Sequence, residues 1–68
     1  MDYGVAVQAA DLVYRVEATE RLLDDLSTIF NNNDYEDKCP EAVRILMAAE
    51  ERIRNSVIGD YKQQISDL

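Results

Sequence analysis

Apolar residues in the first half of the chain recur at alternating steps of four and three. The pattern runs without a proline from residue 5 to residue 30 and predicts an amphipathic α-helix over about residues 4–30. Asp2 is the predicted N-cap, because its carboxylate can accept a free backbone N–H of the first turn. The positions of this seam are Val5, Ala9, Leu12, Val16, Thr19, Leu23, Leu26 and Phe30.

A polar segment, residues 31–39, separates this helix from a second apolar pattern. Asn31, Asn32, Asn33 and Asp34 compete for backbone hydrogen bonds and tolerate left-handed conformations, so they are expected to end the first helix. Pro40 suits the first position of a following helix, where its missing N–H costs nothing. Residues 31–39 are therefore predicted to be a connector that reverses the chain.

A second helix is predicted over about residues 40–66. Gly59 is its weak point, since glycine costs roughly 1 kcal/mol relative to alanine inside a helix. The helix could end there, but Tyr61 and Ile65 keep the phase of Val57, which favours a continuous helix. The predicted stripe is Ala42, Leu46, Ala49, Ile53 and Val57, and it is widened on one side by Val43, Met47, Ile58, Tyr61, Ile65 and Leu68.

These elements predict an all-α fold, an antiparallel two-helix hairpin that forms a single domain over residues 1–68. A core of this size rarely supplies more than about 3–5 kcal/mol, and Cys39, the only cysteine, cannot form a disulfide within the chain. A lone hairpin would expose Leu22, Ile29, Met47, Ile58 and Ile65 together, a larger patch than soluble monomers normally carry. We therefore expect a homodimeric four-helix bundle. The residues expected to mediate self-association are Leu22, Ile29, Leu46, Met47, Ile53, Val57, Ile58, Tyr61 and Ile65.

The net charge of −7 arises mainly in the first helix and the connector. It disfavours broad binding to nucleic-acid phosphates and suits a basic protein partner. Tyr14 lies opposite the seam on a helical wheel, where it could reach a partner. The second helix is expected to lie deepest in the assembly, with the first presenting an acidic outer face. The residues expected to bind a partner are Tyr14, Glu17, Glu20, Arg21, Asp24 and Asp25.

Catalytic chemistry finds little support in the sequence, and we expect neither an enzyme nor a cofactor. The chain has no histidine and no glycine-rich phosphate loop. Cys39 has no histidine base, so a connector or capping role is favoured. A metal site is also not expected, and the pairs Asp24/Asp25 and Glu50/Glu51 are interpreted as solvated helix faces. The absence of a secretory signal or a long apolar stretch, together with the free thiol, favours the cytoplasm.

The leading hypothesis is a small acidic interaction module, a homodimer that binds and modulates another protein in the manner of accessory or phage-type regulators and inhibitors. In its plan of two helices and acidic charge, the chain resembles the plasmid copy-number regulator whose hairpins dimerise and bind paired RNA loops. It also resembles, at that level, the hairpin co-chaperones of type III secretion. These resemblances imply RNA binding or a structural or chaperone subunit as alternatives, and the acidic helix suggests a DNA mimic. A basic strip for RNA would consist of Arg15, Arg44, Arg52 and Lys62.

Overall fold

The long first helix follows the predicted seam closely. In the computed structural model, which describes residues 2–68, α1 spans Tyr3–Asn32. The Asp2 side chain accepts a hydrogen bond of 2.9 Å from the backbone N–H of Gly4, as predicted for the N-cap. Leu12 and Leu23 are buried, and the seam positions between and beyond them are half-buried, except for the more exposed Val5 near the start of the helix.

The connector contains one helical turn, which its polar sequence did not predict. α1 ends where the Asn33 side chain donates to the carbonyl of Ile29 at 2.8 Å, and Asp34 takes the left-handed conformation at φ 58°. α2, Tyr35–Lys38, follows, and Tyr35 packs edge-on against Phe30 with ring centroids 5.1 Å apart. This aromatic contact holds the turn against the end of α1.

The chain then returns in one continuous helical run. It consists of α3, Pro40–Arg52, a π-helical turn, Ile53–Ile58, and α4, Gly59–Ser66; we call these three segments together the return helix. Pro40 is in the first turn, and Gly59 has ordinary helical dihedral angles, so the helix passes through it.

The π-helical turn corrects the predicted stripe. Ile58 is 4% exposed, whereas Val57, which the α-helical period assigned to the stripe, is 39% exposed. A π turn contains about one residue more than an α turn, so it carries Ile58 round to the side occupied by Ile53. The expectation that Ile58 would be exposed with Leu22 and Ile29 was therefore wrong.

The return helix runs antiparallel to α1, and the protein is all-α within the described residues 2–68. Ser27 faces Glu50 across the pair, and Glu20 faces Lys62. The Cα atoms extend over 53 × 19 × 9 Å, so the molecule is a thin plate one helix thick. No helix in the described part of the chain is long and apolar enough to cross a membrane.

Candidate interaction surfaces

The plate has two broad faces, which we define by residues that lie on either side of the α1 seam. Arg15 and Glu20 are five positions apart, about 140° round the helix, and so flank the seam on opposite sides. Arg15 interacts with Tyr61, and the Oε1 atom of Glu20 lies 4.0 Å from Nζ of Lys62. We call the first side the Arg15 face, and the second, where Ser27 meets Glu50, the Glu50 face.

The Arg15 face carries a row of exposed aliphatic side chains. Leu22 and Ile29 follow Arg15 at intervals of seven residues and so share its side of α1. On the return helix, Ile45 lies about 140° from Glu50, and Val57 lies one turn before Tyr61. The exposed aliphatic residues of this face are Leu22, Ile29, Ile45 and Val57.

An ion pair between Arg15 and Asp11 lies toward the amino-terminal end of α1 on the Arg15 face. Nε of Arg15 donates to Oδ2 of Asp11 at 2.9 Å. This hydrogen bond, followed by the influence of the nearby Tyr61 hydroxyl, raises the pKa of the Arg15 guanidinium. Both partners are exposed, so the pair contributes little to stability and mainly orients the arginine.

On the Glu50 face, one carboxylate is buried where a solvated helix face was expected. Glu50 is 8% exposed, whereas its neighbour Glu51 is exposed. The Ser27 hydroxyl lies 3.4 Å from both carboxylate oxygens of Glu50, and Nη1 of Arg54 lies 3.2 Å from Oε2. The interpretation of Glu50/Glu51 as a solvated pair is therefore wrong for Glu50, because Glu50 lies between the return helix and α1, next to the stripe residue Ala49.

The predicted partner-binding residues are divided between two sides of α1. Tyr14, Glu17, Arg21 and Asp25 line a shallow groove of about 300 Å³ on the outer side, as Tyr14's position on the helical wheel implies. Glu20 instead lies on the Glu50 face beside Lys62. Asp24 is exposed one turn after Glu20 and so lies toward the same side.

The predicted self-association residues are also divided. Leu22, Ile29 and Val57 lie on the Arg15 face, and Met47 lies on the Glu50 face, three positions before Glu50. Ile45 was missed, although it precedes the stripe residue Leu46 as Leu22 precedes the seam residue Leu23. The remaining predicted residues are half-buried or buried within the hairpin: Leu46, Ile53, Ile58, Tyr61 and Ile65.

The basic residues considered for an RNA-binding strip are not gathered on one face. Arg15 and Lys62 lie on opposite faces, and each has a carboxylate beside it. Cys39 is exposed at the start of α3. Among residues 2–68, no three carboxylate or thiol groups come together in an arrangement that could hold a metal ion.

Comparison of the chain with protein-family models, curated proteins and solved structures finds no match.

Proposed function

We propose that the protein is a non-enzymatic helical interaction module that pairs with a second copy of itself and binds and modulates another protein. Its accessible surface supports this proposal. The chain exposes 5366 Å², whereas a compact monomer of its 7.8 kDa mass exposes about 4,400 Å². The surplus of about 1,000 Å² is comparable to the roughly 800 Å² that each partner buries in a standard protein interface.

The Arg15 face is the surface that a second copy would cover. Its aliphatic side chains come from both helices and form a strip along the plate. Two such strips facing each other about a twofold axis would make an isologous interface and give a four-helix bundle. Covering the strip would add the apolar burial that a hairpin of this size lacks.

Self-association is tested by the molar mass in solution of two matched variants. Ile45 on the Arg15 face is 66% exposed, and Met47 on the Glu50 face is 63% exposed. We expect the wild type and Met47→Glu to have the mass of a dimer, and Ile45→Glu that of a monomer. A wild-type monomer at every concentration, or equal effects of the two substitutions, would overturn the proposed interface.

Binding of another protein would use the outer side of α1, where the groove meets the Arg15 face only at its Leu22 wall. The outer groove of α1 contains Tyr14, which combines apolar area with a polar tip, beside the carboxylates of Glu17 and Asp25. When the wild type is used as bait in affinity capture from the source cells, it should retain a partner protein. The Tyr14→Ala, Asp25→Lys double variant should not retain that protein. If the wild type dimerises but retains no other protein, this part of the proposal is contradicted.

A further inference from the structure

The Glu50 face carries two shallow hollows that share two lining residues, and we call them together one groove in two parts. One part, about 510 Å³, runs along the return helix between Met47 and Asn55. The other, about 200 Å³, lies between α1 and α3, with Phe30 and Leu46 among its walls. Met47 and Glu50 line both parts, so the two parts adjoin at these residues.

The hydrogen bonding of Glu50 within the hairpin is incomplete. An ionised carboxylate can accept about four hydrogen bonds. Ser27 has a single O–H to donate, and its 3.4 Å distances to the two oxygens are long for a hydroxyl donor. Arg54 reaches only Oε2, through one nitrogen, which leaves Oε1 with the long Ser27 contact alone. A charge placed in a seam with so few donors costs stability, and the hairpin itself gains little from it.

The lining of the groove complements a long cationic side chain. Phe30, Leu46 and Met47 offer apolar surface for a methylene stem. Glu36 and Glu51 add two carboxylates to that of Glu50, against the one guanidinium of Arg54. The groove therefore combines an apolar wall with a net negative charge.

We infer that this groove binds an arginine or lysine side chain of a partner protein, with the cation on Glu50 and the stem on Met47. The inference rests on the proposed function, in which the chain acts by binding another protein, and adds the chemistry that the partner must present. An arginine fits best, because a guanidinium can donate to a carboxylate through two parallel N–H groups. The site lies on the opposite side of the plate from the Arg15 face, so a dimer leaves it open.

A peptide pair tests the site directly. The probes are acetyl-Ala-Leu-Arg-Leu-Ala-amide and the same peptide with citrulline, which keeps the shape of arginine without its charge. In an NMR titration of the ¹⁵N-labelled protein, the arginine peptide should shift the amide signals of Ser27, Met47 and Glu50. The citrulline peptide should bind about tenfold more weakly, the loss expected for a charge-assisted hydrogen bond.

Two variants with the same change of net charge distinguish binding at this site from a general attraction of the acidic protein for a cationic peptide. Glu50→Gln should weaken binding of the arginine peptide about tenfold. Asp60→Asn, at an exposed carboxylate that does not line the groove, should leave the affinity within about a factor of two. Met47→Ala, which removes the stem contact and keeps the charge, should also weaken it. The inference would be overturned by equal binding of both peptides or by equal effects of Glu50→Gln and Asp60→Asn. Shifts confined to the outer groove near Tyr14, or no shifts at all, would also overturn it.

The outcomes also distinguish this inference from the proposed function. Peptide binding at Glu50 without capture of any cellular protein would support the site and contradict the proposed function. Dimerisation and capture without peptide binding would leave the proposed function standing and remove the Glu50 site. A helical circular dichroism signal equal to that of the wild type, measured alongside, shows that Glu50→Gln is folded.

Discussion

Ile53 and Ile58 face the same side of the return helix, with one π-helical turn between them. Five positions in an α-helix would rotate the second residue by about 140° from the first. The π turn removes most of this rotation and lets the buried Ile58 pack against α1. One extra residue is thus accommodated without disturbing the apolar stripe on either side.

Deletion of Asn55, an exposed residue within the π turn, should be tolerated. The turn would become α-helical, and Ile53 and Ile58 would still share a side. We expect the helical circular dichroism signal to be kept and the free energy of unfolding to change by less than about 1 kcal/mol.

Deletion of Ala18, an exposed residue in the regular helix α1, is the matched control. It would rotate Leu23 and the seam beyond it by about 100°. Each displaced aliphatic residue loses roughly 1.5–3 kcal/mol of burial, which a core of this size cannot spare. Equal tolerance of the two deletions would show that the π turn does not set the register.

Gly59→Ala should stabilise the return helix. Gly59 has helical dihedral angles, and an added Cβ would meet the Arg54 carbonyl oxygen at 3.8 Å, an ordinary van der Waals contact. The expected gain is about 1 kcal/mol in the free energy of unfolding measured in urea. Gly4→Ala should gain less, because its Cβ would lie 3.4 Å from Oδ1 of the capping Asp2. A loss of stability in Gly59→Ala would mean that the π turn requires a glycine after it.

The sequence predicts the buried face of a helix correctly where the apolar spacing offers a single candidate at each turn. In α1, the apolar spacing and the Asp2 cap agree, so the seam was predicted correctly. In the return helix, Val57 and Ile58 are adjacent and both apolar, and periodicity alone cannot choose between them. Packing against α1 makes that choice.

The candidate sites were less predictable because they depend on both helices at once. Glu50 is a carboxylate next to another carboxylate, a pattern that usually marks a solvated face, and its burial depends on the approach of α1, whose Ser27 contacts it. The division of the acidic residues likewise follows from Lys62 lying beside Glu20. Neither relationship is visible along a single helix.

Glu50→Leu should raise the free energy of unfolding by about 1 kcal/mol, because an apolar side chain fits the seam and removes a poorly paired buried charge. Arg54 is exposed enough to be hydrated once its partner is lost. Urea titration measures the change, with Glu51→Leu at the exposed neighbour as the control. A substantial loss of stability would instead show that the Ser27 and Arg54 contacts to Glu50 hold the hairpin together.

Self-association predicts that stability depends on protein concentration. If the folded form is a dimer and the unfolded form a monomer, each tenfold rise in concentration should add about 1.4 kcal/mol per mole of dimer, or about 0.7 kcal/mol per mole of monomer, to the apparent free energy of unfolding. Thermal unfolding of the wild type should therefore shift to higher temperature with concentration. Ile45→Glu should unfold at a lower temperature that does not change with concentration, because its charge cannot be buried in the strip formed by Leu22, Ile29 and Val57. A wild-type midpoint independent of concentration would show that the hairpin is stable alone, and that the Arg15 face is not what holds two copies together.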